Sequence, residues 1–164
     1  MQAGYQLNEE LKIWSRPDYG SINYSDGDTT ELRIKFLIDQ ARDVSVFSDE
    51  LRGWCTDWPS LYYLSSTRAN LLRVFDADLR GDVLEIGAGC GAITRYLGEQ
   101  GGNVLALEGS TRGAGIARAR TRDLPNVSVL AENFERFQVD KRFDVITLIG
   151  VFEYANLFVS GANP

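Results

Sequence analysis

Histidine is absent from this chain, and with it the side chain most used as a general base near neutral pH. Any base must be a carboxylate, a tyrosine or a group outside the chain. Cysteine is scarce. Cys55 and Cys90 fall in no metal-binding or redox spacing, so both read as free thiols of a reducing compartment, and no metal site is expected. No apolar run approaches the ~18 residues that span a bilayer, and no charged-plus-apolar leader opens the sequence. The expectation is a cytoplasmic protein. Basic residues are in deficit, 17 against 23 acidic ones, for a net charge of -6. A surface built to grip nucleic-acid phosphates is not expected.

What is present supports one globular domain, since 44% of the 164 residues are hydrophobic and 11% aromatic. Residues 1–28 mix Tyr, Asn, Gly, Ser and Asp around short apolar pieces and read as an irregular arm with one hairpin. Residues 29–80 read as a helical lead-in. Asp28 and Glu31 resemble a capping box, and Leu32, Phe36, Leu37 and Ile38 have the spacing of one helical face to about Arg42. A second helix starts at Ser48 and stops at Pro59; a third, over 67–75, is capped by Ser65 or Ser66 and carries Leu71, Leu72 and Phe75 as its apolar stripe. From residue 81 the pattern alternates, with strands predicted at 82–87, 103–108, 127–131 and 143–149 and helices near 91–100 and 111–122. Such alternation builds a parallel sheet with helices on its faces. Arg112, Arg118, Arg120 and Arg122 read as a solvated helix face balanced by nearby acids.

The run Val83-Leu84-Glu85-Ile86-Gly87-Ala88-Gly89-Cys90-Gly91 joins a buried strand, one acid and a glycine turn, followed by a helix from Ala92. Gly87-x-Gly89-x-x-Ala92 also satisfies the dinucleotide pattern, in which a pyrophosphate sits on the helix N-terminus. Glu85 separates the two readings. A carboxylate beside the ligand repels a pyrophosphate and attracts an ammonium group. The second strand ends at Glu108, where an acid can accept hydrogen bonds from ribose hydroxyls.

This run resembles motif I of the class I S-adenosylmethionine-dependent methyltransferases, and upstream Trp58-Pro59-Ser60-Leu61-Tyr62-Tyr63-Leu64-Ser65 and Arg68-Ala69-Asn70-Leu71-Leu72-Arg73 resemble the region preceding motif I in methyltransferase modules attached to bacterial glycosyltransferases of surface-polysaccharide synthesis, a likeness that spans about residues 28–157. The resemblance implies a Rossmann-like α/β parallel sheet that, in this chain, stops after the fourth of seven strands. Residues 81–164 would be an S-adenosylmethionine-binding half-domain of a longer polypeptide, with the fourth strand as an apolar edge open to dimerisation or a linked glycosyltransferase domain. The cofactor residues it implies are Glu85 for the amino end, Gly87, Ala88, Gly89 and Gly91 for the backbone face, Glu108 for the ribose and Gly109 beneath the adenine. Asn133 and Phe134 follow for the adenine edge, Gly150 near the methyl group, and Tyr63 and Arg68 over the methionine end. Glu153 and Tyr154 are the implied proton acceptor or substrate orienter, although the Asn/Asp-Pro-Pro-aromatic sequence of many nitrogen methylators is missing.

The function expected on this basis is methyl transfer to an oxygen or nitrogen of a small or carbohydrate-type acceptor. A non-catalytic cofactor-binding or docking module of a glycosyltransferase is the alternative. A nicotinamide-dependent oxidoreductase stands third, disfavoured by Glu85.

Overall fold

The computed structural model describes residues 4–22 and 27–151. Strands β1 (Gln6–Asn8) and β2 (Ile13–Ser15) precede helices α1 (Asp28–Gln40), α2 (Asp49–Gly53) and α3 (Trp58–Leu64). Then follow β3 (Asp82–Ile86), α4 (Ala92–Glu99), β4 (Asn103–Glu108), α5 (Thr111–Arg120), β5 (Val127–Ala131) and β6 (Val145–Leu148). The strands form one sheet in the order β1-β2-β5-β4-β3-β6, parallel except for the β1–β2 hairpin. This is the expected α/β architecture of a Rossmann-like sheet.

Alternation along each strand sorts the core. Val83, Val104, Ala106, Val127 and Val129 pack with Ile93, Tyr96 and Leu97 of α4 and Ala114 and Ala117 of α5. Leu84, Ile86, Leu107 and Leu130 pack on Tyr5 of the arm and on Phe137 and Phe143. Glu85, one step from Leu84, therefore lies on the α4 side of the sheet. Ile146 of β6 remains exposed.

Several expectations need correction. The arm's hairpin is not peripheral, because β2 pairs in parallel with β5 through Trp14–Leu130 and Ser15–Ala131 and extends the sheet by two strands. Asp28 and Glu31 do not form a capping box; both pair with Arg112 of α5, and the buried face of α1 is Ile34 and Ile38 while Leu32 and Phe36 face solvent. Pro59 opens a helix instead of ending one. It sits in the first turn of α3, behind a capping box in which Asp57 accepts from the Ser60 N–H at 2.9 Å, and proline fits a first turn because its missing N–H has no partner there anyway.

Residues 66–80 make three short 3₁₀ turns in place of the predicted helix. Ala69 and Leu72, three residues apart, turn inward, while Leu71 and, beyond the break between the first two turns at Leu72, Phe75 are exposed. Of the four arginines of this run, Arg112 is half exposed and balanced by acids as expected, whereas Arg118, Arg120 and Arg122 do not form a solvated face. Arg120 is buried, Arg118 donates to the Val127 carbonyl, and Arg122 donates to the Ile38 and Ala41 carbonyls, closing the end of α1.

Candidate cofactor site

The C-terminal ends of β3, β4, β5 and β6 open into a cavity of about 290 Å³. After β3 the chain adds β4 and β5 on one side and then β6 on the other, so the strand order switches at β3, which is where open α/β sheets form a ligand crevice. Of the implied residues, Tyr63, Arg68, Glu85, Gly87, Ala88, Gly89, Glu108, Gly109, Asn133, Phe134 and Gly150 all line this cavity. Gly91 does not. It caps α4 in the left-handed region (φ 82°), and an added Cβ would stand 2.7 Å from the Ala117 backbone, so its role is the close packing of α4 on α5. Glu153 and Tyr154 lie outside the described residues.

The loop's own hydrogen bonds decide what it can hold. The Gly87 and Ala88 N–H groups both donate to the Leu107 carbonyl, at 2.8 and 3.0 Å, and the Gly89 N–H donates to Glu108 Oε2 at 2.7 Å. A pyrophosphate needs such amides free. Here three are spent on the end of β4, so Gly87, Ala88 and Gly89 offer close backbone approach without free donors. At Gly89 an added Cβ would meet nothing within 4 Å, which leaves the backbone open to a ligand.

Carboxylates dominate the polar lining. Glu85 is buried, and its Oε2 has no hydrogen-bond partner. Burial raises its pKa to about 7; Glu108 adds to the rise and the positive charge of Arg68 opposes it. Burial likewise raises Glu108, against the Ser110 and Gly89 amides that bind its charged form. An unpartnered buried carboxylate is costly unless something supplies a donor. A cation would do so.

Arg68 stacks on the Tyr62 ring, 3.9 Å from its centroid, and makes no ion pair among the described residues. Tyr63 packs edge-on against the same ring. Asn133 caps the turn 134–136 by accepting from the Glu135 N–H, while Phe134 is half exposed at the rim.

Sequence reasoning missed two contributors. Glu132, fully buried beside Asn133, lines the cavity and binds Arg16 at 2.7 Å and Tyr5 at 3.2 Å. The signal was in the chain, since β3, β4 and β5 each carry a glutamate at or beside the C-terminal end. Ile22 of the arm is the other. Nothing local marked it. Among the described residues, no cluster of His, Cys, Asp and Glu could hold a metal ion, and no helix is long and apolar enough to cross a membrane.

A protein-family model described as "Methyltransferase domain" matches residues 84–161. The matched segment is similar to methyltransferase domains. It begins inside β3 and contains the glycine loop, Glu108, Asn133 and the strand β6. An uncharacterized methyltransferase of Alkaliphilus oremlandii is 35% identical over 78 residues, 48% of this chain and 35% of that protein. Ribosomal RNA small subunit methyltransferase A of Thermotoga neapolitana is 39% identical over 74 residues, 44% of this chain and 28% of that protein. The chain thus spans about a third of the length of these methyltransferases. Among solved structures, the DhpI–SAH complex aligns with a TM-score of 0.45 at 25% identity, over 71% of this chain and 51% of that one. The glycopeptide N-methyltransferase MtfA complexed with S-adenosyl-L-methionine aligns at 0.42 and 26% identity, over 52% and 38%.

Proposed function

We propose that this chain binds S-adenosylmethionine and directs its methyl group to an oxygen or nitrogen of a small or carbohydrate-type acceptor. The observation that carries the reading is Glu85, a buried carboxylate with an unpartnered oxygen, facing a cavity whose glycine loop has no spare donors at Gly87, Ala88 or Gly89. Such a wall suits an α-ammonium group and repels phosphates.

Glu85 would hold the ammonium, and Arg68 the methionine carboxylate through its stacked guanidinium. Tyr63 packs beside it. The Gly87 to Gly89 backbone lies against the sugar and chain, with Gly150 opposite on the β6 side. Glu108 already accepts two amides, yet each carboxylate oxygen has a second lone pair, so it remains an acceptor for ribose hydroxyls. Asn133 and Phe134 border the adenine.

When bound, the cofactor supplies a methyl carbon on a sulfonium, an electrophile whose bond to sulfur breaks as the acceptor's lone pair forms the new bond. The chain's own contribution is to bind, orient and exclude water, since alignment of the reacting atoms is worth several kcal/mol of barrier, on the order of 7–11 in favourable cases. The acceptor's proton passes to a carboxylate or tyrosine, for which Glu153 and Tyr154 are the candidates. The acceptor class rests on the resemblance to glycosyltransferase-associated modules, and linkage to such a domain, or pairing of two copies through β6, belongs to the same proposal. Incubation with methyl-labelled cofactor and a panel of glycans, hydroxylated small molecules and amines tests it: label should move to an acceptor in the parent and not in Glu85→Gln.

A further inference from the structure

Gly109 was expected to lie bare beneath the adenine, but its missing side chain has already been replaced. An added Cβ at Gly109 would stand 2.6 Å from Ile22 Cδ1, so the glycine makes room for the arm. The Gly109 carbonyl accepts from the Ile22 N–H at 3.0 Å and from the Tyr19 hydroxyl, and the Thr111 N–H donates to Ser21 Oγ at 3.0 Å. Both lone pairs of that carbonyl are thereby used. Six residues upstream of Ile22, the Arg16 Nε–Glu132 Oε2 pair, with Arg16 stacked 4.6 Å over Tyr5, anchors the arm to the end of β5. Residues 16 to 22 therefore bridge the ends of β5 and β4.

We infer that Ile22 is the apolar wall against which the nucleoside base packs, and that Arg16, through Glu132, is a positioning residue that holds this wall in place. This inference rests on the cofactor reading above. A half-buried isoleucine at the cavity edge gives area to a flat heterocycle and nothing to the amino-acid end of the ligand. The N-terminal arm is then part of the binding site, with base affinity depending on contacts more than a hundred residues apart in sequence.

Calorimetric titration with S-adenosylhomocysteine and with adenosine alone separates the parts of the ligand. In Ile22→Ala both ligands should weaken by a common factor, about tenfold for the three carbons lost. Glu85→Gln should weaken S-adenosylhomocysteine and leave adenosine unchanged. Arg16→Met should weaken both ligands by a smaller common factor, with Arg16→Lys restoring part of it, and amide exchange should show the Tyr19 and Ile22 N–H groups protected in the parent and released in Arg16→Met. Affinities within twofold of the parent for both ligands in Ile22→Ala, or free exchange of the Ile22 N–H in the parent, would overturn the inference while leaving the cofactor reading intact. A folded parent that binds neither ligand would overturn both.

Discussion

Glu108 Oε2 accepts the Gly89 N–H at 2.7 Å, tying the end of β4 to the middle of the glycine loop. With Oε1 on the Ser110 N–H, the one side chain fixes both the loop after β3 and the start of α5. Hydrogen bonds to a charged acceptor of this kind are worth about 1.5–3 kcal/mol each. Glu108→Ala should lower the unfolding free energy by about 2–3 kcal/mol and abolish measurable affinity for S-adenosylhomocysteine, as read by urea denaturation and calorimetry. Glu108→Gln, which keeps one carbonyl acceptor, should fall between the two.

Glu85 places stability and binding in opposition. Its pKa is raised to about 7 in the folded protein, against 4.5 in an unfolded chain, so the folded state holds a proton that the unfolded state has lost between those values. Stability therefore falls as pH rises from about 4.5 to 7, and the full cost, about 3 kcal/mol, applies above 7. Glu85→Gln should raise the Tm measured at pH 8 and change it little at pH 4. Scanning calorimetry at the two values checks this.

The same group makes cofactor binding depend on pH. An ammonium ligand needs the ionised carboxylate, so the affinity of the parent for S-adenosylhomocysteine should improve up to about tenfold per pH unit on the way up to 7 and level off beyond it. Titrations from pH 5.5 to 8 in buffers of different ionisation enthalpy should show proton release below pH 7. In Glu85→Gln the release should vanish.

The two glycines of the loop should fail in different ways. Gly91→Ala forces a Cβ to within 2.7 Å of the Ala117 backbone at φ 82°, and should cost about 2–4 kcal/mol of stability. Gly89→Ala, at φ 54° with open space around it, should cost only about 1–2 kcal/mol yet weaken the ligand tenfold or more, because the new methyl group occupies ligand space. Paired denaturation and binding measurements distinguish the two.

Arg120 offers a control away from the cavity. It is buried with Nε and Nη1 unpartnered, and burial, then Arg95, lowers its pKa to about 10. An arginine so placed is destabilising, so Arg120→Met should be neutral or up to about 2 kcal/mol stabilising, with ligand affinity unchanged.

Much of this arrangement was legible in the sequence because the information was local. Strand, acid, glycine turn and helix occupy consecutive residues, and Glu85, Gly89 and Glu108 were recognisable from their own neighbours. What stayed hidden depended on partners distant in the chain. Arg16 and Glu132 are 116 positions apart, Ile22 and Gly109 meet only because β2 joins the sheet beside β5, and Arg122 looks like part of a solvated face until the end of α1 arrives to accept its hydrogen bonds. Over residues 66–80 one continuous helix is replaced by three short turns, and the break at Leu72 leaves Leu72 buried while Leu71 and Phe75 face outward.

On the proposed reading, Glu85 makes this cavity a site for a nucleoside that carries a cationic amino-acid end. Calorimetric titration of the folded parent and of Glu85→Gln, each with S-adenosylhomocysteine and with NADH, tests it most directly. Saturable binding of S-adenosylhomocysteine by the parent, at least a tenfold loss in Glu85→Gln, and no binding of NADH by either are expected. Binding of NADH by the parent, or equal affinity of parent and variant for S-adenosylhomocysteine, would contradict it.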